Sequence, residues 1–126
     1  MTPTTIALVE NKMLYLEGLS CLLKDNGCSI PITSSGLPLL YAALQLTTNY
    51  PDICLINLSM LAGGDTTVIN SIKQQAVSTK IIGYYIDEAD LQFASALHLD
   101  GVFSLKEAPE NIMNMINATT ADQMSI

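Results

Sequence analysis

Five short apolar runs alternate with stretches striped at helical spacing, and that alternation limits the fold more than any other feature of the chain. The runs cover residues 6–9, 28–33, 53–56, 80–84 and 102–105. The unbroken runs 6–9 and 53–56 suit strands buried on both faces, while 28–33 is a weaker strand. Between them, apolar residues recur at helical spacing. They are Leu16, Leu19, Leu22 and Leu23 in the first stretch, and residues 37–47 form the second. Val68, Ile69 and Ile72 mark a third helix, Phe93, Ala94 and Leu97 a fourth, and Ile112, Met115 and Ile116 a last one opened by Pro109. Gly27 suits the left-handed stop of the first helix. Ser35 is placed to cap the second, with Pro38 in its first turn. Pro31 has no amide hydrogen to donate, which sends the second strand to a sheet edge. Strands alternating with helices form a parallel sheet covered on both faces. Right-handed crossovers then favour strand order 2-1-3-4-5, a flavodoxin-like doubly wound α/β domain of five βα units. The domain is expected over 1–118, with 119–126 a polar linker or disordered tail.

A chain of 126 residues is one domain, and 49% apolar against 13% charged residues excludes general disorder. No apolar run approaches the about eighteen residues that span a bilayer. The first residues lack the basic start of a signal peptide, so a cytoplasmic location is expected, with no membrane contact. Five lysines, no arginine and twelve acidic residues give a net charge of -7. Phosphate backbones are gripped by basic patches, so no nucleic acid is contacted by this chain itself. Cys21, Cys28 and Cys54 form no CxxC pair. Cys21 and Cys54 read as small core residues, which fits a reducing compartment.

In doubly wound sheets, ligands sit beyond the carboxyl ends of the strands, where the strand order reverses. Here that is the gap between the first and third strands, which gathers Glu10, Asn11 and Asn57. With those residues placed, the chain resembles a response-regulator receiver domain. The resemblance is carried by Val9-Glu10-Asn11-Lys12-Met13, Leu16-Glu17-Gly18-Leu19, residues 51–60, and Phe103-Ser104-Leu105-Lys106. It runs from about Thr5 to Ala118, and is nearest to receivers that precede a LuxR-type helix-turn-helix.

The resemblance implies phosphoryl transfer to an aspartate ending the third strand, with Mg²⁺ held by that aspartate and an acidic pair after the first. This chain departs from that pattern. The acceptor position is Asn57, and the acidic pair is Glu10 and Asn11, so one carboxylate of three remains. An amide is a poor nucleophile, and one glutamate with two amides is a weak magnesium cage. Asp65, eight residues past Asn57, reads as a loop or capping residue. The small hydroxyl residue expected at the end of the fourth strand is Tyr85. Leu61 replaces a loop proline, and Glu107 follows Lys106 where a proline is usual. Phe103 matches the aromatic that changes rotamer on activation, and Lys106 the strand-5 lysine. Lys106 is expected to pair with Glu10 and take over part of the metal's electrostatic role. The segment from Tyr85 to Lys106 is one residue shorter than usual.

These departures describe a pseudo-receiver with no catalytic residue, no metal and no cofactor. The expected function is a phosphorylation-independent regulatory and dimerisation module of a transcriptional response regulator, reaching DNA through an output domain outside this chain. A homodimer is expected. One face would use the fourth helix, fifth strand and last helix, with Gln92, Ser95, His98, Lys106, Asn111 and Asn114. The other would use the first and last helices, with Tyr15 and Met113. The alternative is a stand-alone domain binding a protein partner or small ligand at the altered pocket. A flavin-binding relative is disfavoured, since Glu10-Asn11-Lys12-Met13 would repel a phosphate.

Overall fold

The computed structural model describes residues 3–61, 67–95 and 97–124, with side chains described through Thr120. Five strands form one parallel sheet in the order β2-β1-β3-β4-β5. They are β1 (Thr5–Val9), β2 (Ser29–Ser34), β3 (Ile53–Asn57), β4 (Lys80–Tyr85) and β5 (Gly101–Ser104). The α-helices among the described residues are α1 (Met13–Asp25), α2 (Leu37–Gln45), α3 (Thr67–Gln75) and α4 (Pro109–Met124). The order expected from the sequence is the one observed, with β2 at an edge and Pro31 exposed.

The period of a strand sorts its side chains onto two faces, and each face builds a core. Ala7, Val9, Cys54, Ile56 and Ile81 pack with α2 and α3 through Leu40, Leu44, Ile69 and Ile72. Ile6, Leu8, Ile53, Leu55 and Ile82 pack with α1 and α4 through Leu19, Leu23, Ile112 and Ile116. At the carboxyl end the second face continues as Glu10, Asn57, Tyr84 and Phe103. Asn57 and Tyr84 are register partners, as are Tyr84 and Phe103. Thus an apolar face ends in a polar row, still inside the protein.

One helix end follows its sequence signal and one does not. Gly27 holds φ +83 after α1, as expected of a left-handed stop. The residue capping α2 is Gly36, not Ser35, and it makes no side-chain cap. Ser34 ties this turn instead, its hydroxyl donating to the Gly36 carbonyl at 2.6 Å and accepting from the Gly36 N–H at 3.2 Å.

The expected fourth helix is absent as an α-helix. Glu88–Phe93 is a 3-10 segment, started by the Asp87 carboxylate accepting from the Ala89 N–H. Hydrogen bonds from Ala94 to Leu91 and from Leu97 to Ala94 continue the three-residue pattern. A 3-10 turn advances about 2.0 Å per residue against about 1.5 Å in an α-helix, so it suits a crossover short of residues. The segment closes at His98 in the left-handed region, φ 51. The Lys73 ammonium donates to the carbonyls of Leu97 and His98 there.

The stretch expected to be a tail is helical to Met124, so the linker assigned to 119–126 is corrected for 119–124; residues 125 and 126 lie outside the described part. Polarity does not stop the helix, because the Thr119 and Thr120 hydroxyls donate back to the Met115 and Ile116 carbonyls. Thr119 is itself buried. Cys21, expected in the core, is exposed because it lies two residues, about 200° of helix, from the inward Leu19 and Leu23. Cys54 is buried as expected.

Candidate functional site

Glu10 follows the last residue of β1, and its side chain continues the inward face of Ile6 and Leu8. Only 2% of the residue is exposed. A buried carboxylate needs compensating donors, and four converge on this one. Oε2 accepts from the backbone N–H groups of Asn11 at 3.0 Å and Lys12 at 3.1 Å. Oε1 accepts from Asn57 Nδ2 at 2.9 Å and the Tyr84 hydroxyl at 2.7 Å. The two backbone bonds form because the chain turns immediately after β1, pointing successive amides at the carboxylate.

Asn57, equally buried, ends β3 with both ends of its amide engaged. Its nitrogen donates to Glu10, and its Oδ1 accepts from the Ser59 N–H at 3.0 Å. That second bond starts the 3-10 turn Leu58–Leu61. No buried side-chain polar atom among the described residues lacks a partner.

Tyr84 is the site residue that the sequence reading missed. Of the two adjacent tyrosines, Tyr84 points to Glu10, while Tyr85 lies on the opposite face, half-buried against the α2 and α3 core. Burial, then the hydrogen bond to Glu10 and its negative charge, push the Tyr84 phenol well above the usual tyrosine range. Its ring stacks on Phe103, centroids 5.7 Å apart and planes 20° from parallel. The signal that could have found it is strand parity. Ile82 faces α1 and α4, so Tyr84 does too.

The remaining candidates separate. Asn11 joins the cluster only through its backbone; the residue is exposed and lines a neighbouring cleft. Lys106 is exposed, and Glu10 is met by four neutral donors, so the expected Glu10–Lys106 pair is replaced by the Tyr84 and Asn57 bonds. The Lys106 backbone N–H donates to the Ser104 hydroxyl, turning the chain outward after β5. Phe103 is buried as a core residue. Leu61 is buried, and Asp65 lies outside the described residues. Met113, a candidate contact on the second dimer face whose residue type more often fills a core, is buried in the α1 and α4 core.

The fold family implies a divalent cation here, and these residues do not fit one. Magnesium needs several free, hard oxygen ligands in near-octahedral array. Glu10 has its lone pairs directed at four donors, and Asn57 presents a nitrogen to the shared space. The amide oxygen of Asn57 is committed to Ser59. No group of three or more His, Cys, Asp or Glu suited to a metal occurs among the described residues.

Solved structures resemble this arrangement of strands and helices along nearly all of the chain. A two-component response regulator of the LuxR family from Aurantimonas sp. SI85-9A1 matches with TM-score 0.79 at 20% identity, over 95% of this chain and 86% of that one. The response regulator RcsB of Salmonella typhimurium matches with TM-score 0.79 at 20% identity, over 97% of this chain and 61% of that one. The chemotaxis response regulator CheY4 of Vibrio cholerae matches with TM-score 0.76 at 16% identity, over 94% and 99%. The chain has the receiver fold. No family model matches the sequence, and no curated protein does. Among the described residues, no helix is long and apolar enough to cross a membrane.

Proposed function

We propose that this receiver-like domain is not an enzyme and works without phosphorylation, as the regulatory and self-associating part of a cytoplasmic transcriptional response regulator. The observation that carries this reading is the side chain at the end of β3. Asn57 offers no carboxylate, its amide is hydrogen-bonded at both ends, and the neighbouring Glu10 carboxylate is far too weak a base to turn a carboxamide into a nucleophile. The receiver fold and the LuxR-family likeness support a role in transcriptional control, while net charge -7 without arginine assigns DNA contact to another domain. Acetyl phosphate with Mg²⁺ should leave the intact mass unchanged, and beryllofluoride with Mg²⁺ should leave the amide NMR spectrum unchanged. A covalent phosphate mapped to this domain would refute the proposal.

Self-association is assigned to the α1 and α4 side. The 3-10 segment replaces the helix that the other face requires, although Gln92, Ser95, His98, Lys106, Asn111 and Asn114 are all exposed there. Between α1 and the start of α4 lies a largely apolar groove of about 280 Å³, edged by Leu14, Tyr15, Leu105 and Pro109. Leu14 is 78% exposed. Sedimentation of the wild type and Leu14→Glu should show a dimer lost in the variant; two monomers would refute this arrangement.

A second reading, a ligand-sensing domain, is favoured by a cleft of about 340 Å³ beside the cluster. Asn11, Ser35, Leu37, Met60, Leu61 and Val68 line it. Its size is within the range of small-molecule sites. Ligand-observed NMR against a fragment set, repeated with Val68→Trp, separates the two readings. Binding abolished by the tryptophan supports sensing.

A further inference from the structure

The misfit between this pocket and a divalent cation has a specific source. We propose that the Tyr84 hydroxyl is a permanent stand-in for the cation, a positioning group that clasps Glu10 and thereby fixes Phe103 in one inward rotamer. The inference deepens the proposed function at the same pocket.

Three linked contacts carry it. The Tyr84 hydroxyl meets Glu10 Oε1 at 2.7 Å, in a site where both residues are buried. A hydrogen bond to a buried charge is stronger than one in water, because no solvent competes for the acceptor. The same tyrosine stacks on Phe103, its register partner on β5. Phe103 in turn is only 6% exposed and packs in the core that includes Ile112 and Met113 of α4. A rotation of Phe103 toward solvent would remove its stacking partner and open a void beside Tyr84. A swing of Tyr84 would strip a donor from Glu10, which is only 2% exposed. Each movement therefore costs the contact that the other depends on. The pocket and the β5 edge share one conformation, and a ligand cannot shift them without differential affinity for a second state.

The test labels the protein with 4-fluorophenylalanine, which gives two fluorine lines because the chain has only Phe93 and Phe103. Phe93→Leu identifies which line belongs to Phe103. In the wild type that line should be single and narrow and should not move when millimolar Mg²⁺ is added. In Glu10→Gln, which removes the charge the tyrosine clasps, the Phe103 line should shift or broaden by roughly twofold or more as rotamers exchange, while Phe93 stays put. Tyr84→Phe is the second variant, since it keeps the ring and deletes only the hydroxyl. It adds a third line and should broaden the Phe103 line in the same way, with near-native circular dichroism. A Phe103 line identical to wild type in folded Tyr84→Phe overturns the clasp, as does a wild-type line already split between two states. Neither result touches the mass measurement that judges phosphorylation, so failure of the clasp and failure of the pseudo-receiver reading are distinguishable.

Discussion

Asn57→Asp would restore the side chain that a phosphorylated receiver carries, and this structure predicts that it damages the protein in a pH-dependent way. The substitution exchanges an N–H donor 2.9 Å from Glu10 Oε1 for an oxygen, leaving two carboxylates together in a nearly solvent-free site. Taking about 4 Å between charge centres and an effective dielectric of about 20, their repulsion is about 4 kcal/mol. The lost bond to a charged group adds about 1.5–3 kcal/mol. The total has a ceiling, because the pair can bind one proton, whose O–H then replaces the missing donor. That proton costs about 1.4 kcal/mol for each pH unit above a normal carboxylate value near 4. The ceiling is therefore about 5.5 kcal/mol at pH 8 and about 1.4 kcal/mol at pH 5. The sign follows from linkage. The folded variant keeps a proton that the unfolded chain releases, so its stability falls as pH rises. Urea unfolding of wild type and variant at both pH values measures the difference. A penalty equal at pH 5 and pH 8, or none at pH 8, would refute the argument.

Four further outcomes are expected. Gly83→Ala would place a methyl 2.6 Å from Leu58 Cδ2 and 3.0 Å from Leu99 Cδ1, and should cost about 1–3 kcal/mol by urea unfolding, whereas Gly101→Ala meets the flexible end of Met115 at 2.9 Å and should cost less. Of the three thiols, Cys21 should react first with a disulfide reagent, half-buried Cys28 more slowly, and Cys54 only on unfolding. Burial raises the Cys28 thiol and pushes Cys54 up to about 12 from 9.0, so Cys54 alone should lower stability by about 1.4 kcal/mol per pH unit as pH rises from 9 toward 12, and the raised Tyr84 phenol should steepen the fall above pH 10. Lys106→Ala, which the sequence alone suggests would strand Glu10, should instead change stability by less than about 0.5 kcal/mol, because the exposed lysine is replaced at the carboxylate by Tyr84 and Asn57.

What the sequence makes legible is whatever local physics decides. The apolar runs, the proline at an edge and the glycine after α1 each have a local physical reason, and all appear where expected. The fourth crossover is illegible for the complementary reason. Phe93, Ala94 and Leu97 repeat at helical spacing, yet the span between β4 and β5 and the Lys73 grip on Leu97 and His98 are tertiary facts. They override a weak local preference. Thr119 and Thr120 mislead in the opposite direction. Their composition reads as a tail, while their hydroxyls are satisfied within the helix itself.

The candidate site divides on the same principle, and β4 shows where. Glu10 and Asn57 are recoverable because each ends an apolar strand with a polar residue at the switch point. Tyr85 aligns with the usual hydroxyl position, but alignment says nothing about which of two neighbouring rings occupies the cleft. Parity decides it, once the face of Ile82 is known. The charge argument also changes with that assignment. A lysine appears necessary when a buried glutamate is counted as an isolated charge. Two backbone amides, one carboxamide and one phenol remove the necessity, since a carboxylate can be stabilised by enough neutral donors without a counterion. Sequence patterns expose charges readily but expose backbone donors poorly, because every residue carries the same amide. The loss of the family's carboxylates is therefore visible in the sequence, and what compensates for it is visible only in the fold.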